Sequence, residues 1–176
     1  MNNEKRAPKG FWIWGQFDSA SASKIEEIYQ KINETLNGPT FDIHLTISGP
    51  ILGLEESHKS ALNDLSKSLS SCRLQLNGPG IKEQFFQSLF INIHMKDDLV
   101  NLKSRIDAEL NLETKAYFPH ISLYYGNAEK HMKEKLINLI EFPKKVMLDK
   151  ISLVKVDEDI NSWEILYSYP LSGSNK

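Results

Sequence analysis

Phe118-Pro119-His120-Ile121-Ser122-Leu123-Tyr124-Tyr125-Gly126 decides how this chain is read, together with its counterpart Phe41-Asp42-Ile43-His44-Leu45-Thr46-Ile47-Ser48. Successive side chains of a β-strand point to opposite faces. Read as strands, both stretches place a histidine and a hydroxyl residue on one face. His44 and Thr46 sit ~7 Å apart along the chain, with Leu45 turned the other way. His120 and Ser122 repeat the arrangement around Ile121. One such triplet arises readily by chance; two in matched strand contexts carry information.

Outward from these strands the chain is a loose duplication. Trp14 precedes His44 by 30 residues and Phe90 precedes His120 by 30, so the two halves are offset by 76. Aromatic and β-branched residues predict a strand over 11–17. N-cap candidates at 18–23 and the spacing of Ile25, Ile28, Tyr29, Ile32 and Leu36 predict a helix that stops at Asn37-Gly38-Pro39. The next strand is expected over 41–48 and a second helix over 54–71. A short strand over 73–76 is expected to end in a turn at Asn77-Gly78-Pro79-Gly80, and a long strand over 84–95 follows. A third helix is marked by Leu99, Leu102, Ile106 and Leu110, then the strand 119–125, then a fourth helix around Met132 to Ile140. A strand pair over 144–156 and 162–169 closes the chain around the turn Asp157-Glu158-Asp159.

The chain has 176 residues, 40% hydrophobic and 25% charged, which suits one compact domain over 1–176 with loose ends at 1–9 and 172–176. A net charge of −2 gives no field for a long nucleic acid. Cys72 is the single cysteine, so no internal disulfide forms, and the spacing of a structural zinc site is absent. No apolar run approaches the ~20 residues of a membrane span, and the polar N-terminus is not a secretory signal. The expectation is a cytoplasmic monomer without cofactor, metal or membrane contact.

Two histidines with two hydroxyls suit phosphodiester hydrolysis. A neutral imidazole takes a proton from water, while an imidazolium gives one to the leaving oxygen. An ordinary pKa of about 6.5 makes both forms accessible near neutrality. Hydroxyls hydrogen-bond the non-bridging phosphate oxygens, where charge builds. The remaining histidines read as surface residues (His58, His131) or a solvated strand end (His94).

With these segments the chain resembles the two-histidine phosphoesterases, and within them the cyclic phosphodiesterases of plants and fungi. The resemblance rests on Phe11 to Gly15, Gly38 to Thr46, Phe85 to Phe90, Tyr117 to Gly126 and Ser162-Trp163-Glu164, in order over nearly the whole chain. It implies an α+β, bilobal, duplicated fold: two mainly antiparallel sheets facing a central cleft, with helices outside. It implies hydrolysis of nucleoside 2′,3′-cyclic phosphates to 2′-phosphates and of ADP-ribose 1″,2″-cyclic phosphate. His120 becomes the base, His44 the acid, and Thr46 and Ser122 the phosphate holders. Trp14, Phe86 and Tyr125 become the aromatics that receive the nucleotide base. Related alternatives are a 2′–5′ phosphodiesterase acting on oligoadenylate or RNA ends, and a non-catalytic nucleotide- or RNA-binding module. The chain departs from the plant pattern in having one cysteine and in carrying Ile43, not proline, before the first histidine.

Overall fold

Asp18 opens the first helix by accepting a hydrogen bond from the Ser21 amide at 2.8 Å, and Asn37 closes it in the left-handed conformation. Between them Ile25, Ile28, Tyr29, Ile32 and Leu36 form one buried stripe. The same logic builds the other elements of the computed structural model, which describes residues 9–172. In chain order they are β1 (Gly10–Phe17), α1 (Ser19–Leu36), β2 (Leu45–Ile51), α2 (Glu56–Ser68), β3 (Cys72–Ile81), β4 (Leu89–Ile93), α3 (Asp97–Glu109), β5 (His120–Tyr124), α4 (Lys130–Leu139), β6 (Lys145–Val156) and β7 (Glu164–Pro170). Element order is as the sequence predicts. The expected loose ends at 1–8 and 173–176 lie outside the described residues. Ser172 is not loose: it bridges Ser70, and its hydroxyl donates to Leu69 O. Lys9 reaches Asp157 and Glu158 of the acidic turn.

Three local expectations are corrected. The strand expected over 84–95 is only Leu89–Ile93, because Phe85–Gln87 winds into a 3₁₀ turn. The expected turn at 77–80 runs inside β3 as an irregularity between Leu76 and Pro79, with Gly78 at φ 76°. The strand expected over 41–48 begins at Leu45, so His44 stands at its threshold.

All strand pairs are antiparallel, and the order β1-β2-β5-β4-β3-β6-β7 is closed by a β1–β6 pairing. The two facing sheets of the expectation are thus joined into one continuous sheet. The duplication is visible in its register. Trp14 pairs with Thr46, and Phe90 pairs with Ser122, each partner 76 residues on. The halves meet through Leu45 opposite Ile121 and through Cys72 opposite Leu148. Members of both pairs are themselves 76 apart, so a pseudo-twofold axis passes through the two junctions.

The helices interlock the halves. The α1 helix packs on β5, and α3 packs on β2. Asn33 of α1 donates to Leu123 O at 2.8 Å, while Lys103 of α3 donates to Ile47 O at 3.1 Å. These carbonyls also lie 76 apart. Lys103 is nearly buried and pairs with buried Asp107 at 2.9 Å; Asp107 also accepts from Ser48 at 2.6 Å.

A buried cation stripped of its carboxylate is costly. Asp107→Ala is therefore expected to lower stability by about 3–5 kcal/mol, whereas Lys103→Met with Asp107→Leu costs clearly less, both read by urea unfolding. A single and a double variant of equal cost would contradict this account of the pair.

Candidate active site

Continuing the Leu45–Ile121 register by one residue each way sets His44 beside Ser122 and Thr46 beside His120. Leu45 and Ile121 point into the core, at 1% and 0% exposure, so the other four share the opposite face. His44, Thr46 and His120 line one cavity of about 250 Å³ with Trp12, Trp14, Phe86, Gln87, Val156 and Trp163.

Both rings are held alike. His44 Nδ1 lies 2.7 Å from Asp42 O, and His120 Nδ1 lies 2.9 Å from Phe118 O. A carbonyl only accepts, so each Nδ1 carries the proton and donates it. In the neutral ring Nε2 is then the free acceptor. The carbonyls used are again 76 residues apart. Local chain geometry thus sets the tautomer identically in each half.

Burial is the main force on both histidines. It pulls His44 down to about 4; the Asp42 hydrogen bond works against this, and the charge of His120 adds to it. His120 is lowered too, first by burial, against its bond to Phe118 O, and further by the Lys82 ammonium. At neutral pH both are imidazoles.

The aromatic residues divide in a way the sequence does not announce. Trp14 is expected to stack a base, but its indole is 2% exposed and stacks on His44 at 3.6 Å, with planes 5° apart. It packs its ring on the histidine and remains one of the residues lining the cavity. Tyr125 is expected at the cleft rim and instead lies in the core, stacked on Phe41 at 4.0 Å. Burial pushes its phenol up to about 12, with the Ser122 hydroxyl pulling the other way. Ser122 is 4% exposed and lies below the cavity wall. Phe86 does line the cavity, facing Trp163 with centroids 6.2 Å apart and planes at 22°.

Trp12, Trp163 and Gln87 are wall residues that the sequence reading passes over. Trp12 shares a strand face with Trp14, a period-two signal that was available. Gln87 ends one 3₁₀ turn and Trp163 directly follows another, where no periodicity points inward. Trp163 is anchored by its indole N–H, which donates to Asp157 O at 2.8 Å. His58 and His131 pair locally with Glu55 and Glu129, and His94 is exposed beside Asn77. Among the described residues no three of His, Cys, Asp and Glu converge to hold a metal ion. No described helix is long and apolar enough to cross a membrane.

Neither family models nor curated protein sequences match the chain. Solved structures do. The chain is similar to Escherichia coli LigT complexed with 3′-AMP, with a TM-score of 0.63 and 13% identity, over 94% of this chain and 99% of that one. It is similar to TT0787 of Thermus thermophilus, with a TM-score of 0.64 and 14% identity, over 93% and 98%. A structure described as a phosphoesterase matches with a TM-score of 0.59 and 14% identity, over 94% and 99%. The chain therefore shares the fold of these structures over almost its whole length.

The depressed His44 pKa bears on stability. An unfolded histidine titrates near 6.5, above the folded value, so the unfolded chain binds protons first as pH falls. This contribution is complete above about pH 6.5 and is lost toward pH 4. Between pH 7.5 and 4 wild type is expected to lose about 3 kcal/mol more than His44→Gln. Parallel pH profiles from urea unfolding would contradict it.

Proposed function

We propose that the chain hydrolyses cyclic phosphates on ribose: nucleoside 2′,3′-cyclic phosphates to 2′-phosphates, ADP-ribose 1″,2″-cyclic phosphate, or both. The observation that carries this reading is the pair of imidazoles, each anchored through Nδ1 and lining the same cavity as Thr46. His120 Nε2 takes a proton from water as its oxygen attacks phosphorus. The P–O3′ bond breaks, and His44 gives its Nε2 proton to the departing O3′. Thr46 donates to a non-bridging oxygen, and Ser122 is the second hydroxyl of the set.

His44 suits the acid role only when substrate is present. Burial keeps it neutral in the free protein. A phosphate anion supplies the missing counter-charge, and the Trp14 face at 3.6 Å favours a cation laid upon it. Protonation is then linked to substrate binding.

The size and lining of the cavity support a mononucleotide-scale substrate. Neither Lys nor Arg is among its wall residues, which weighs against a groove for a polynucleotide backbone. Complexes of LigT with 3′-AMP, NADP+ and ATP are in keeping with a nucleotide ligand. Trp12, Phe86 and Trp163 offer the ring faces for a base. The single buried thiol, raised to about 11 chiefly by burial, suits a reducing, cytoplasmic setting with no redox gate.

Purified protein in EDTA is expected to convert a 2′,3′-cyclic mononucleotide to the 2′-monophosphate alone. His44→Ala and His120→Ala should each lower kcat by ~10²–10⁴. Wild-type turnover by either variant would sink the assignment.

A further inference from the structure

Residues 82–88 bring Phe86 and Gln87 to the cavity wall, and the loop is tied down at both ends. The Lys82 amide donates to Ser88 O at 3.3 Å, and the Gln87 amide to Gln84 O at 3.1 Å. At its middle, Phe85 O accepts from the amide of Gly126 at 3.1 Å. Gly126 has φ 147°, and a Cβ there would collide with the Tyr124 phenol, so the position requires glycine. Beneath the loop lies Lys133 of α4, 2% exposed. Its ammonium donates to Lys82 O at 3.3 Å and to Ser88 Oγ at 3.1 Å. Burial lowers its pKa, and Glu83 works the other way. A buried amine needs such partners, so the loop conformation is over-determined.

Of the nine cavity-lining residues, Gln87 is the one polar residue outside the histidine and hydroxyl set. Its Oε1 accepts from Lys82 Nζ at 2.7 Å. A lysine has no acceptor, so the amide must turn its oxygen to Lys82 and release Nε2 as the donor. Among the described residues Nε2 meets no acceptor. Lys82 is itself placed by aromatic faces, 4.1 Å from the Phe118 centroid and 5.7 Å from that of Phe90. Phe118 in turn stacks against His120 at 5.2 Å. Among the described residues no carboxylate pairs with Lys82, so its charge is free to polarise the amide.

The two halves differ at this point. Thr46 is half-buried on the cavity wall, whereas Ser122 lies below it. Resting on the reaction proposed above, we infer that Gln87 Nε2 donates to a non-bridging phosphate oxygen on the His120 side, and that Lys82 is the positioning residue that presents it. Gln87 thereby supplies at the cavity surface the donor that the deeper Ser122 does not present there.

The test compares wild type with Gln87→Met, Lys82→Met and the double variant. Three quantities are read: kcat and KM on a 2′,3′-cyclic mononucleotide, affinity for inorganic phosphate by ³¹P NMR, and the melting temperature. Gln87→Met should lower kcat ~10–100-fold and weaken phosphate binding, with melting unchanged. Lys82→Met should lower kcat less, and the double variant should match Gln87→Met, because one residue acts through the other. Two results overturn the inference: Gln87→Met with wild-type kcat and phosphate affinity, or single losses that multiply in the double variant. A wild type that turns over no cyclic phosphate defeats the reaction instead; phosphate affinity still judges Gln87.

Discussion

The antiparallel contact between Leu45 and Ile121 is the constraint on which the site depends. It joins the two halves at the pseudo-twofold axis and sets each histidine beside the other half's hydroxyl residue. A shift of one residue would turn His44 and His120 into the core and bring Leu45 and Ile121 to the cavity. The register is therefore enforced by the same apolar burial that stabilises the fold. The crossed packing of α1 on β5 and α3 on β2 reinforces it from outside.

What the fold positions, burial then tunes. Both imidazoles are neutral in the free protein because the surroundings disfavour charge. In the proposed reaction a substrate anion in the cavity reverses that preference for His44. On the proposed reaction, the site acquires its general acid only together with the group it acts on. Trp14 stacks on His44, and Lys133 holds the loop that carries Phe86 and Gln87.

Much of this was legible in the amino-acid sequence, for a physical reason. Alternation in a strand reveals which residues share a face, so His44 with Thr46 and His120 with Ser122 could be grouped before any strand was paired. Helices were legible because their apolar stripes recur at 3.6 residues. Closure of the sheet by β1 and β6 was not, because pairing across such sequence separation leaves no local mark. Depth was also hidden. Trp14 and Tyr125 look like binding aromatics in sequence, yet one lies against His44 and the other inside the core. Gln87 and Trp163 reach the wall from short turns whose direction tertiary contacts decide.

The central claim is that two Nδ1-protonated imidazoles address one phosphate. Nitrogen-15 NMR of histidine-labelled protein, titrated with a 2′-nucleotide, tests it most directly. In the free protein both rings should show the Nδ1–H tautomer, and ligand should shift the Nε2 signals of His44 and His120 together. An Nε2–H tautomer in either free ring, or a ligand response confined to one histidine, would contradict the account.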